Sequence, residues 1–243
     1  MHDASPAEAG DAFADDNASM TAENFMNPTA ADVFADTSLA QLADAAVGGD
    51  RETITRAAGQ CTDLNARGDR GVTVLHWAFL HRAEAGMQEL VRLGVDPSTG
   101  DDVGNTVMHY AAACDVPALL DALLAAGVSP EVRHARTHET PLFTAIMHDR
   151  EPQFQALLAA GADVNAADAN ENRPIHVAAK VNDVVRVERL LEAGADPLVR
   201  NYQGVTFQRY LNATADAMRS APLRAVKKNI DEWLQLRGVP LEG

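Results

Sequence analysis

"GNTVMHYAA" (residues 104–112) has counterparts in "GVTVLHWAF" (71–79), "HETPLFTAI" (138–146), "NENRPIHVAA" (170–179) and "GVTFQRYL" (204–211). Aligned on one position, they set Thr73, Thr106, Thr140, Arg173 and Thr206 at intervals of 33, 34, 33 and 33 residues. A second landmark keeps the same beat: Gly94, Gly127, Gly161 and Gly194 in "RLGVDP", "AAGVSP", "AAGADVN" and "EAGADP". Two markers that share one irregularity define a tandem repeat, and a period of this length is the signature of stacked modules. The extra residue falls between Gly127 and Thr140, which points to "VRHARTH" (132–138).

Each unit reads as two short helices and a turn. Pro141 and Pro174 stand at the first position of the leading helix, with Pro117 and Pro152 near the start of the second. Proline fits there because its missing N–H would have no intrahelical partner. The second helix carries leucines at helical spacing and closes on a glycine suited to a left-handed C-cap. Between the helices, Gly49, Asp115, Asp149 and Asn182 are residue types that accept positive φ, whereas Arg82 is an exception expected to mark a distorted turn. Extending the beat backwards makes residues 42–67 a first unit, with Cys61 in the glycine position. Cys61 and Cys114 are then packing residues in the first and third units, too far apart for a bridge when packed helices lie ~8–10 Å apart.

These motifs resemble the ankyrin repeat, Gly-x-Thr-Pro-Leu-His-x-Ala-Ala followed by Gly-Ala-Asp-x-Asn, over residues 39 to 211. The departures are Phe143 for His, Arg173 for Thr, and Val74 and Val107 for Pro. The expected fold is all-α, an ankyrin-repeat solenoid of about six helix-turn-helix units with a C-terminal capping helix. Three parts follow: an acidic leader (1–37), the repeat array (38–212) and the cap (213–243). The resemblance implies a structural role for His76, His109 and His176, in which each pairs with the threonine position and bonds the neighbouring unit. A shared metal is excluded by geometry: successive units displace these rings by ~8–10 Å, whereas zinc ligands converge within ~2 Å of one ion.

The chain holds 35 Asp and Glu against 20 Lys and Arg, and ten of the acids precede the first basic residue, Arg51. A nucleic-acid partner would demand clustered cations, so none is expected. No stretch reaches the roughly 20 apolar residues of a membrane span. The start, "MHDASPAEAGDAF", lacks a positive n-region and an apolar h-region. A signal or lipid anchor trimmed before Met1 would place the protein in the bacterial periplasm; a natural start at Met1 would place it in the cytoplasm.

Catalytic signatures are absent: there is no GxSxG, HExxH, phosphate-binding glycine loop or dinucleotide fingerprint. "HDRE" (148–151) reads as a solvated cap. No enzyme activity, metal or cofactor is expected, so function lies in a surface, and stacked repeats supply an extended concave one. In ankyrin proteins partners contact the hairpin tips and the exposed end of the leading helix. Carried over by register, the tips offer Asp69, Arg70, Val72, Asp102, Asn105, Arg136, Thr137, Glu139, Asn170, Asn172 and Tyr202, and the helix ends offer Leu80, His81, Met147, His148, Lys180 and Val181. Arg70, Arg136 and Tyr202 stand out because Arg and Tyr are enriched at binding hot spots.

At the C-terminus Ile230, Trp233, Leu234 and Leu236 form an apolar stripe flanked by Arg224, Lys227 and Lys228. At the N-terminus Phe25 and Phe34 are candidates to fold back over the first unit. The tail pair "GVTFQRYL" and "LQLRGVPLE" resembles ankyrin-type immunity proteins found beside type VI secretion lipase effectors. That resemblance implies a monomer that sterically blocks one protein partner, a secreted phospholipase. The alternative is a cytoplasmic scaffold, a regulatory adaptor or a host-directed effector.

Overall fold

The computed structural model describes residues 28–242, so Phe25 and most of the acidic leader lie outside the described residues. Among the described residues are thirteen α-helices and no β-strand. A single helical turn, α1 (Ala30–Val33), precedes six helix pairs: α2 (Thr37–Gly48) with α3 (Arg51–Ala58), α4 (Val74–Leu80) with α5 (Glu84–Arg92), α6 (Val107–Ala113) with α7 (Pro117–Ala125), α8 (Pro141–Met147) with α9 (Glu151–Ala159), α10 (Pro174–Lys180) with α11 (Val184–Glu192), and α12 (Phe207–Leu211) with α13 (Ala221–Leu236). The leading helices pack on one another in one unbroken row from α2 to α12, and one apolar core runs from Ala30 to Val239. The fold is the expected solenoid.

The hairpins that precede the leading helices close with one backbone bond each. Gly68 N–H donates to Val72, Asp101 to Asn105, His134 to Glu139, Asp168 to Asn172 and Asn201 to Val205. The loop from His134 to Glu139 is one residue longer than the others, which locates the inserted residue inside the expected segment. Consecutive tips are also bonded to each other, through Asp102 N to Arg70 O, Ala135 N to Gly104 O, Ala169 N to Thr137 O and Tyr202 N to Asn170 O.

His76, His109 and His176 couple one unit to the next. Nδ1 of His109 accepts from the Thr106 backbone N–H at 3.3 Å and lies 2.9 Å from Thr106 Oγ1. An Nδ1 that accepts from an amide carries no proton, so the hydrogen sits on Nε2. From there it donates to the Glu139 carbonyl of the next hairpin at 3.0 Å. His76 repeats the arrangement with Thr73 and Asn105 O, and His176 with Arg173 N and Val205 O. Phe143 cannot do this, and Thr140 Oγ1 is consequently buried with no hydrogen-bond partner among the described residues. In the last unit Thr206 Oγ1 donates instead to the Glu242 carboxylate at 2.9 Å.

The turns between paired helices depart from expectation in two places. Arg82, with φ 54°, adopts the same left-handed conformation as Asp149 and Asn182, so its turn is regular. In all three the next amide bonds back five residues, closing the helix end: Ala83 N to Ala78 O, Arg150 N to Ala145 O and Asp183 N to Ala178 O. The irregular turn is the one containing Asp115, which is not among the positive-φ residues. There Cys114 is extended, and the freed carbonyls of Ala113 and Cys114 accept from Arg150 Nε and Gln153 Nε2 of the next unit. "HDRE" is correspondingly a junction and no solvated cap: Arg150 pairs with Asp115, while buried Arg186 reaches both Asp149 and Glu151.

Packing begins upstream of the boundary drawn at residue 38. Phe34 is buried and meets Trp77 edge-on with ring centroids 6.1 Å apart. Its ring occupies the space of a Gly68 side chain: a Cβ there would lie 2.8 Å from Phe34 Cδ1. At the other end Ile230 and Leu234 are buried, but Leu236 points to solvent, and Lys227 and Lys228 are paired with Asp231 and Glu232. The two tail motifs meet each other. Gln208 Nε2 donates to Pro240 O at 3.1 Å, and Glu242 N–H donates to Gln208 Oε1 at 3.0 Å.

Two measurements check the coupling. Thr106→Val removes a satisfied hydroxyl and is expected to cost ~1–2 kcal/mol in urea denaturation, whereas Thr140→Val removes an unpaired one and is neutral or stabilising. Burial also pushes His109 and His176 down to about 4. Both rings are therefore neutral in the fold, while the unfolded chain takes up protons below its ordinary imidazole value of about 6.5. Stability is whole above that value and falls as the pH drops from about 6.5 towards about 4, by up to ~3 kcal/mol for His109 alone. Urea midpoints recorded across that window should show the loss, and His109→Phe should shrink it.

Candidate partner-binding surface

Two rows of side chains bound the face made by the leading helices. The first is the line of hairpin tips, fixed by the tip-to-tip backbone bonds. Arg70 and Asp102 are neighbours along it, as are Asn170 and Tyr202, and all four are exposed. Arg136 is exposed too, but its guanidinium is anchored by Nε donation to Val103 O at 2.7 Å. Thr137 is half-buried and donates from Oγ1 to Glu139 Oε2 at 3.0 Å. Burial raises the Glu139 carboxyl above its usual range.

Three residues expected on this row are not available to a partner. Val72 is buried in the core, and its carbonyl closes the first hairpin. Asn105 is buried beneath its tip, where its amide donates to Asp101 Oδ1 at 3.0 Å and its carbonyl accepts from His76. Asn172 is buried and works as a bracket: its side chain donates to Asp168 Oδ2 at 2.9 Å and accepts from Lys180 Nζ at 2.9 Å and Asn201 Nδ2 at 3.0 Å. Register marks which residues lie on a tip but cannot tell the side that faces water from the side that faces the next loop.

The second row lies at the far ends of the leading helices. Leu80, Met147 and Lys180 share one register position, seven residues beyond the threonine landmark. Leu80 is 38% exposed and Met147 50%. The structure adds Val47 at the equivalent place in the first unit, 40% exposed; Val181, expected beside Lys180, is 51% exposed. Val47 was legible by stepping the repeat back 33 residues from Leu80. His81 is exposed and lies 4.6 Å from the Trp77 ring, and His148 is half-buried, its imidazole lowered by burial and by Arg150. Lys180 Nζ sits 4.8 Å from the Tyr210 ring centroid, its ammonium lowered mainly by burial. Between the rows runs one leading-helix length, about 10 Å for seven residues. Half-buried Tyr110, Thr144 and Tyr210 line it.

Among the described residues no cluster of three or more His, Cys, Asp or Glu could hold a metal ion, and no helix is long and apolar enough to cross a membrane. A shallow recess lies on the second-helix side, between Asp50, Arg51, Glu52, Thr55, Arg56 and Arg92. Its Arg51 and Arg92 are committed to buried Glu89, at 2.7 and 2.8 Å, and Arg92 leads in holding that carboxyl down at about 2.

Residues 115–201 match the family described as ankyrin repeats (3 copies). The chain is 40% identical over 141 residues to Protein PhlB of Serratia liquefaciens, an alignment spanning 58% of this chain and 62% of that protein. It is 33% identical over 141 residues to the putative palmitoyltransferase ZDHHC13 of Danio rerio, of which it spans 22%. Among solved structures, an ankyrin repeat domain from Acinetobacter baumannii AYE superposes with a TM-score of 0.62 at 22% identity, covering 82% of this chain and 98% of that one. A chain from the complex of the predatory endopeptidase Bd0816 of Bdellovibrio bacteriovorus with immunity protein Bd3460 gives a TM-score of 0.57 at 21% identity, covering 76% and 96%.

Asn172→Ala should cost ~1–3 kcal/mol because it removes three hydrogen bonds from a buried side chain, whereas Asn170→Ala, on the exposed side of the same tip, should stay within about 0.5 kcal/mol. Thermal melting of the two variants separates bracket from surface.

Proposed function

We propose that this ankyrin-repeat chain is a protein-binding module that grips one partner between its hairpin tips and its leading-helix ends. The observation that carries this reading is the second row: Val47, Leu80 and Met147 recur at one register position, with Val181 adjoining it, and all are exposed. Packing leaves these side chains in water at intervals set by the repeat, with Ala113 at the same position in the third unit, and exposed apolar groups that share one face mark interaction sites. Tyr202 at the end of the tip row, 63% exposed, is the strongest single anchor, since a tyrosine gives large contact area at low entropic cost. Arg70, Asp102, Arg136, Thr137, Glu139, Asn170, His81, His148 and Lys180 complete the polar rim.

The partner we propose is a bacterial phospholipase effector of the type VI class, with this chain as its immunity protein. The tail resemblance and the fold shared with a chain from an endopeptidase–immunity protein complex support that assignment. Inhibition is steric. The repeat face covers the catalytic entrance, and no chemistry is required of this chain.

Titration of a type VI phospholipase effector with this chain tests the assignment, with inhibition of its cognate enzyme expected to be complete at one equivalent. Tyr202→Ala and Met147→Asp should each weaken inhibition at least tenfold while leaving the melting temperature within a few degrees. Full lipase activity in stoichiometric excess of the unaltered protein would reject this partner.

A further inference from the structure

Four of the five hairpins are organised by the side chain of their first residue, which accepts amide hydrogens from the tip. Asp101 Oδ1 accepts from Val103, Gly104 and Asn105, Asp168 Oδ1 from Asn170 and Asn172, and Asn201 Oδ1 from Gln203 and Val205. In the longer hairpin that acceptor is an imidazole. His134 Nδ1 receives the N–H groups of Arg136 at 3.3 Å and Thr137 at 3.1 Å. His134 is buried, and its ring is seated against Gly104, where a Cβ would come within 2.8 Å of Cε1. A carboxylate or an amide keeps its lone pairs in mild acid. An imidazole does not.

We propose that His134 is an acid-released latch: proton uptake at Nδ1 opens the 134–139 tip and displaces Arg136 and Thr137, while the Asp- and Asn-based tips stay closed. Protonation turns Nδ1 from acceptor into donor, so three N–H groups then converge on one point. The ring cannot simply swing away, because Gly104 lies on one side and the His109 ring meets it edge-on, with centroids 5.7 Å apart. The charged and titratable groups facing it are His109 and Asp101 from the preceding unit and Arg136 on its own tip. Burial and Arg136 favour the neutral ring and Asp101 favours the cation, with the net balance below the usual imidazole value. The latch is therefore shut at neutral pH and releases only as the pH falls below about 6.5. Arg136 also loses its hold on Val103 O when the tip opens, which carries the change to the preceding hairpin.

The consequence for binding rests on the partner surface proposed above, but the latch itself is tested on the free full-length chain. Amide resonances of Arg136 and Thr137, followed by 1H–15N NMR from pH 7.5 to 4.5, should shift together with one midpoint below 6.5, while those of Asn170 and Gln203 stay in place. His134→Asp supplies the acceptor used in the neighbouring tips and should flatten the Arg136 and Thr137 titration while keeping the tip folded. If the two amides stay fixed in the unaltered chain until the whole protein unfolds, or titrate unchanged in His134→Asp, the latch is refuted, whatever the partner proves to be.

Discussion

A buried imidazole that accepts at Nδ1 and donates at Nε2 is the joint on which this solenoid turns. The accepting side fixes the start of its own leading helix, and the donating side holds the carbonyl of the next hairpin. One side chain thus satisfies local and inter-unit requirements together, and only in its neutral form. The energy of each joint is modest, about 1 kcal/mol per hydrogen bond, but leaving a partner unpaired inside the core costs more. That asymmetry explains why Thr140, orphaned by Phe143, is the structural exception, and why the last threonine recruits Glu242 from the chain's end.

The ends of the array solve a different problem. Each internal unit is covered on both sides by its neighbours, and terminal units are not. At the front, the Val33 carbonyl and the Phe34 ring fill the place that an acceptor side chain takes in four later hairpins, and they leave no room for a Cβ at Gly68. At the back, the segment around Glu242 hydrogen-bonds to Gln208 and Asn212 of the final unit. The two tail motifs are therefore halves of one cap.

Periodicity made the solenoid, its six units and the position of the inserted residue legible in the sequence, because packing of like on like forces every core position to recur. The surface was less legible. Register puts Arg70, Asp102, Asn170 and Tyr202 on the tips, where they are exposed, but Val72, Asn105 and Asn172, put there by the same rule, are buried. Register fixes where a residue sits along the loop, whereas burial depends on bonds made across to the next unit. Leu236 differs for a related reason: helical spacing puts it near the apolar stripe, yet the stripe's contacts end at Leu234 and Leu236 is 85% exposed. Arg82 shows the converse, a residue with no intrinsic preference for positive φ held there because its helix end must close as the others do.

The central claim concerns one proton on each of three rings, and nitrogen NMR of the imidazoles tests it most directly. At neutral pH His76, His109 and His176 should each show a protonated Nε2 and a bare Nδ1, and the latter two should remain so well below the ordinary imidazole value. Protonation at Nδ1, or ordinary titration near 6.5, would contradict the account.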